Sequence, residues 1–154
     1  MRALLLLCLA AVLTVAGCQE YCPHAVEAVR YIKQGMDPAP MTVGGLSNVS
    51  NHVPEESRSL LNRVYLVMLM AAGIDAVIAD PLDTELMETV RIIEQRDAST
   101  GAAQLLLDLY DATFAMEDLE YSSVDPNDAD QVAIWKTVQV LLNRTIFTDS
   151  YLRT

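Results

Sequence analysis

Residues 43–83 read VGGLSNVSNHVPEESRSLLNRVYLVMLMAAGIDAVIADPLD, and this stretch decides the fold class. A short strand candidate at 41–43 leads into a long polar loop at 44–57. A helix is predicted over about residues 56–72, because apolar side chains recur at helical spacing and surround it almost completely. Residues 74–79 predict the next strand. The stretch therefore reads strand, loop, helix, strand, as in proteins with a parallel sheet.

Two residues mark the boundaries of these elements. Gly73 stands where a helix commonly ends in a left-handed conformation that glycine adopts without strain. Asp83 is a natural N-cap for a helix predicted at 84–95. That helix has one apolar stripe, made of Leu86, Val90 and Ile93.

Further secondary-structure elements are predicted on both sides of residues 43–83. Upstream, residues 11–16 are β-branched enough for a buried strand, and Pro23 suits the first position of an amphipathic helix. Downstream, helices are predicted at 102–116 and 131–143, and no convincing strand follows Ala79. Alternating strands and helices predict an α/β fold with parallel strands and right-handed crossovers.

The apolar run from Ala3 to Gly17 supports two interpretations. It has the basic start and apolar centre of an export signal, and residues 15–18, Val-Ala-Gly-Cys, resemble a bacterial lipobox that would lipidate Cys18. The same run suits a buried parallel strand, which is continuously apolar because helices cover it. We expect the strand and a cytoplasmic protein, since export would remove a strand that the fold uses. The alternative is a membrane-anchored lipoprotein.

Charge and cysteine content narrow the function classes. The net charge is −11, so nucleic acid is not an expected partner. No Lys or Arg occurs from Asp97 to Trp135, which indicates a solvated acidic surface or a docking face for a basic partner. The three cysteines form no disulfide framework, and with only two histidines the sequence predicts no metal site.

Three loops follow predicted strands, which is where parallel α/β proteins place their sites. The loop at 44–57 is the most informative, because its glycines and short Ser and Asn side chains suit a polar, planar, uncharged ligand. The glycine-rich phosphate-binding motifs and the Gly-x-Ser-x-Gly elbow do not occur in the sequence. On composition alone this loop could equally be a set of turn residues.

Four blocks give a family resemblance, in order and at similar spacing: residues 45–50, 60–63, 72–76 and 80–83. Together they resemble the methyltetrahydrofolate:corrinoid methyltransferases of the pterin-binding superfamily, which also contains dihydropteroate synthase. The tail at 141–152 resembles the last helix of that family, and residues 11–34 resemble the preceding strand and helix more weakly.

The resemblance implies a fold. The family is a (β/α)8 barrel of the TIM type, and this chain resembles about its last third. It implies a truncated pterin-binding barrel over residues 1–96, an acidic helical insertion over 97–134, and a terminal barrel helix over 135–154. The strands that carry most of the pterin-binding acids have no counterpart here. We therefore expect a fragment or one part of a split enzyme, inactive alone.

The resemblance also implies a reaction and its residues. The reaction transfers a methyl group from methyltetrahydrofolate, the substrate, to cobalamin on a partner corrinoid protein. Asn48 matches the family asparagine that hydrogen-bonds the folate N5. Ser47, Asn51, Gln19 and Asp80 are expected to bind the substrate.

The sequence also supports structural roles for two further residues, further partners and alternative functions. For Asp83, helix capping is favoured over a place on the pocket rim. Arg63 is expected in a structural ion pair with Asp75 or Asp80. Further expected partners are a chain supplying the missing strands or a second copy. The alternative functions are an exported, lipid-anchored binding protein and a dihydropteroate-synthase-like enzyme, although the tail lacks the basic residues of the latter.

Overall fold

The computed structural model describes the backbone of residues 11–13 and the whole of residues 21–152, and its order of elements is that of an α/β protein. Most described residues are helical, and the strands are short. Short 3₁₀ turns lie at Leu46–Asn48 and Tyr121–Ser123. The strands and helices are β1 Ala11–Leu13, α1 Cys22–Gly35, β2 Thr42–Gly45, α2 Glu55–Ala72, β3 Ala76–Ile78, α3 Thr84–Gln95, α4 Gly101–Ala115 and α5 Ala129–Leu141.

The predicted elements are confirmed with small shifts at their ends. Helix α2 begins at Glu55, so the loop after β2 is shorter than expected. Strand β2 extends to Gly45 and takes two residues from the predicted loop. Of the first predicted strand, residues 11–13 are in the sheet, and residues 14–16 lie outside the described residues.

The three strands form one parallel sheet in the order β1-β2-β3. Val43 pairs with Ala76 and Gly45 with Ile78, so these four residues share one face of the sheet. Gly44 and Val77 share the other face, on which a Cβ at Gly44 would meet Leu69 at the end of α2. Helix α1 packs against α2, and right-handed crossovers, the rule for parallel strands, would place both helices on that same face. Parallel pairing of β2 with β3 was the sequence prediction.

The opposite face of the sheet, which we call the open face, is not covered by any described helix. Its members Ala76 and Ile78 are exposed, and Ile78 is 66% exposed although it lies within a strand. In the described part of the chain, β3 pairs only with β2, so its outer edge is also free. Parallel strands are normally buried on both faces.

The core lies in the helical layer instead. Helix α2 is its centre and packs against α1, α3, α4 and α5. Leu61, Val64 and Val67 of α2 are completely buried, and so are Leu105 of α4 and Val138 of α5. The segment that the sequence assigned to an insertion, 97–134, thus includes a helix that packs directly on α2.

Local chemistry fixes the element ends. Gly73 ends α2 at a φ of 93°, in the left-handed region, as predicted. Asp83 caps α3 by accepting a hydrogen bond from the Leu86 N–H at 3.0 Å, which confirms its predicted structural role. Thr100 and Asp128 cap α4 and α5 in the same way. None of the described helices has the length and apolarity needed to cross a bilayer.

Asp75 ties the sheet to the helical layer at the start of β3. Its carboxylate accepts hydrogen bonds from the backbone N–H and hydroxyl of Thr42 at 2.7 and 2.8 Å, and pairs with Lys33 at 2.8 Å. The Lys33 hydrogen bond, with that of the Thr42 N–H, lowers the pKa of Asp75 to about 2. Asp75 is therefore occupied with Lys33, and its expected pairing with Arg63 is wrong.

Candidate functional site

A cleft of about 480 Å³ opens at the carboxyl ends of β2 and β3. The turn after β2 supplies Leu46 and Ser47, and the loop after β3 supplies residues from Ala79 to Asp83. The beginning of α2 forms the third wall. Because parallel strands end at the same edge of a sheet, their loops meet there, which is the usual place for a binding site in α/β proteins.

A polar stripe on α2 faces this cleft. Glu55, Arg58, Ser59 and Asn62 all contribute to its lining. Their spacing of three, four and seven residues places them on one side of the helix. The sequence interpretation described α2 as apolar nearly all round and overlooked the stripe. The same spacing rule that identified the apolar face would have found it.

Asn62 brings an unsatisfied group to the cleft wall. Its side-chain oxygen, Oδ1, is buried and accepts no hydrogen bond within the described residues. A buried acceptor without a donor is costly, so a bound molecule that donates to Oδ1 would recover free energy. Nearby on the stripe, Arg58 donates to Glu55 at 3.1 Å from a partly exposed position.

The two aspartates of the loop after β3 have different functions. Asp83 Oδ1 accepts from Ser59 Oγ at 3.0 Å as well as from the Leu86 N–H, so it fastens the loop to α2 and caps α3. Among residues 21–152, Asp80 Oδ1 accepts only from the Leu82 N–H, at 2.9 Å, and Asp80 is exposed. Asp80 keeps a second carboxylate oxygen for a ligand.

The structure brings some of the predicted site residues together. Ser47 and Asp80 both line the cleft, from different strand ends. Asn48 is half-buried beside Ser47 but is not part of the lining. Asn51 is exposed and also lies outside the lining. Gln19 lies outside the described residues.

Asn48 occupies the last position of the 3₁₀ turn that follows β2. Its amide rests against Gly45, where a Cβ would come within 3.1 Å of Asn48 Nδ2. Glycine at 45 therefore makes room for this amide. Within residues 21–152 the Asn48 side chain has no hydrogen-bond partner, so its donor hydrogens remain available.

Arg63 directly follows Asn62 on α2 but does not line the cleft. It pairs with Glu85 of α3 at 3.4 Å, so the expectation of an ion pair with Asp75 or Asp80 is wrong in its partner. The reason is geometric. Arg63 follows Asn62 on the helix, so its side chain points toward α3 rather than toward the sheet.

The groups that line the cleft determine which ligands it can bind. It offers amide, hydroxyl and carboxylate hydrogen-bonding groups and one guanidinium, over an apolar base that includes Leu46 and Leu86. Among the described residues, no three His, Cys, Asp or Glu side chains converge as metal ligands would. Cys22 is buried away from the cleft, and burial raises the pKa of its thiol to about 12. Such a set can hydrogen-bond a polar ligand that lies over an apolar base.

No family model matches the chain. Fold class alone would not decide the function, because α/β proteins support many chemistries.

Proposed function

We propose that this chain is one part of a pterin-binding methyltransferase, which transfers a methyl group from methyltetrahydrofolate to a corrinoid protein. The observation that carries the proposal is the cleft at the carboxyl ends of β2 and β3, into which Ser47 and Asp80 converge. In a (β/α)8 barrel the active site is built from these loops. The coarser α/β fold agrees with this barrel, and the truncated barrel remains part of the proposal.

The cleft suits a pterin ring. Its volume of about 480 Å³ exceeds what one bicyclic ring needs and falls in the range of small-molecule sites. A pterin presents N–H donors along one edge, and the buried Oδ1 of Asn62 is an acceptor without a donor. The second oxygen of Asp80 is a further acceptor. An apolar base with few polar groups is the usual lining for such a planar ligand.

Asn48 is the proposed catalytic residue. The folate N5 leaves poorly unless it receives a hydrogen bond, and a positioned donor stabilises the charge that develops on it in the transition state. The Asn48 amide has free donors and no pKa of its own in the working range. A turn of its side chain from Gly45 toward the adjacent cleft would bring Nδ2 to a bound ring.

The open face of the sheet supports the idea of an incomplete enzyme. A barrel needs strands beyond the free edge of β3, and the exposed Ile78 marks where they would pack. We propose that a partner chain, or a second copy, supplies them, and that the corrinoid protein brings the cobalamin. The isolated chain is then inactive or very weak.

A cytoplasmic location goes with this proposal. Residues 11–13 pair with β2 as a strand of the sheet, so removal of the chain up to Cys18 would delete β1. Cys18 itself lies outside the described residues. Radiolabelled palmitate on Cys18, or a mature protein beginning at Cys18 in the membrane fraction, would instead support the lipoprotein.

The central experiment is Asn48→Ala, assayed in the complex that completes the site. Methyl transfer should fall by about 100-fold or more, because the hydrogen bond that stabilises the developing charge on N5 in the transition state is removed. The melting temperature should change little. A lower melting temperature with unchanged transfer would identify Asn48 as a turn residue and remove it from the mechanism.

Gly45→Ala provides a second variant at the same amide. The added methyl group would crowd Asn48 Nδ2 at 3.1 Å and displace it. Because the proposed catalysis turns the amide away from Gly45, transfer should fall less than in Asn48→Ala, which removes the amide. For the isolated chain, titration with methyltetrahydrofolate should show weak or no binding; tight binding without any added protein would disprove the incomplete-site proposal.

A further inference from the structure

A second concave site, which we call the groove, lies among α1, α4 and α5. It encloses about 180 Å³ and shares no lining residue with the cleft. Its floor is apolar and fully built, since Val26, Met68, Leu109 and Val138 are all almost completely buried. That space suits one apolar side chain. Because the groove opens to the surface, an apolar side chain inserted there would displace water from its apolar floor.

Met116 forms the lip of the groove, and its backbone conformation there is unfavourable for a methionine. It follows α4 with a φ of 60°, a left-handed conformation that glycine or asparagine usually adopts. Its side chain is nevertheless large, apolar and 70% exposed. A glycine would end the helix at lower cost. A strained, exposed methionine beside an apolar groove is consistent with a contact made by its side chain.

The rim of the groove is acidic. Glu27, Glu117 and Asp118 line it, and Glu120 follows in the same segment. Glu27 pairs with the buried Arg30, and Asp118 pairs with Arg144. Glu117 and Glu120 have no ion-pair partner within residues 21–152, which leaves an excess of negative charge at the rim. No Lys or Arg from 97 to 135 offsets it.

We propose that the groove docks a basic amphipathic helix from a partner protein. One apolar side chain of that helix would fill the groove and contact Met116, while its Lys or Arg side chains face Glu117 and Glu120. Helices bind in grooves through such an apolar face. Complementary charge at the rim favours encounter and discriminates against acidic partners. The proposal does not depend on the function assigned to the cleft.

The test uses a synthetic helical peptide with leucines on one face and lysines on the other. A control peptide has the same composition scrambled, so that its leucines share no face. Binding to the full chain is measured by calorimetry at about 0.15 M salt, where long-range attraction is screened. The ordered peptide should bind at least about 10-fold more tightly than the scrambled one, since only it buries an apolar side chain.

Two protein variants locate the binding. Met116→Gly removes the lip and relieves the left-handed backbone, so affinity should fall by about 10-fold while the melting temperature does not fall. Glu117→Gln should weaken binding by about 2- to 5-fold, as expected for one exposed charge pair. Met87→Ala and Glu94→Gln, both exposed residues on α3, are the matched controls and should leave affinity unchanged.

Three results would overturn the proposal. Equal affinity of wild type and Met116→Gly would show that the lip makes no contact. Equal affinity of the ordered and scrambled peptides would reduce the interaction to net charge. An equal loss in Glu94→Gln would place the charge effect elsewhere on the surface.

Discussion

Two apolar side chains, one in a helix and one in a strand, show how differently the helical layer and the sheet are buried. Leu61 of α2 is completely buried among the other helices, and Ile78 of β3 is two-thirds exposed. The helical layer is a finished core, with caps and ion pairs at its borders. Within the described residues, the sheet is covered by helices only on the side of α1 and α2. The stability of the chain should therefore come from the helical layer, and its function should need the uncovered side.

The largest expected effect is in the helical layer. Leu61→Ala removes a completely buried side chain at the centre of α2, and should reduce the free energy of unfolding by about 2–5 kcal/mol. Urea denaturation followed by circular dichroism measures this. A loss below about 1 kcal/mol would show that the helical layer is not the stabilising core.

A smaller effect is expected where the helical layer meets the cleft. Asp83→Ala removes the N-cap of α3 and the bond from Ser59, and should cost about 1–2 kcal/mol by the same measurement. Asp80→Ala, three residues earlier in the same loop, should stay within about 0.5 kcal/mol of wild type. Equal losses would contradict the division of the two aspartates into a structural and a ligand-binding residue.

Asp75 links the sheet to the helical layer, and its contribution to the free energy of unfolding should depend on pH. Because its pKa is lowered to about 2 in the folded protein, Asp75 contributes stability above its ordinary pKa. That contribution is lost as the pH falls from about 4 toward 2. The difference in stability between wild type and Asp75→Asn should therefore shrink over this range, as measured by urea denaturation at several pH values. A constant difference would show that Lys33 and Thr42 do not hold the carboxylate.

The smallest effect is expected on the open face. Ile78→Ser should change the free energy of unfolding by no more than about 0.5 kcal/mol, because the side chain is already in water. It is the direct counterpart of Leu61→Ala. A loss of 2 kcal/mol or more, on the scale of a buried side chain, would mean that another part of the same chain covers Ile78.

The sequence predicted the elements well because each carries a local signal. Gly73 and Asp83 fixed helix ends, and the apolar periodicity of α2 and α3 fixed the helices between. Parallel pairing followed from the alternation of strands and helices. These signals act between neighbours in sequence, so no tertiary information was needed.

The predictions that were wrong or absent for Arg63 and Asp75 concern contacts between residues distant in sequence. The partner of Arg63 depends on which side of α2 faces α3, and the role of Asp75 depends on Lys33 and Thr42, distant in sequence. The polar stripe with Asn62 was readable from spacing but was hidden by the dominant apolar pattern. The left-handed backbone at Met116 had no sequence signal, because methionine there contradicts the usual preference. The catalytic role proposed for Asn48 was predicted only from a family resemblance.

The free edge of β3 also affects how the chain behaves when it is made in excess. Among the described residues this strand edge is unpaired and lies beside an exposed isoleucine, and such an edge is a template for pairing with another copy, which leads to aggregation. The strand is only three residues long, and the net charge of −11 makes copies repel one another. Shortness and charge together act as protection against self-association. High salt, which screens that repulsion, should therefore promote precipitation of the purified chain before it promotes unfolding.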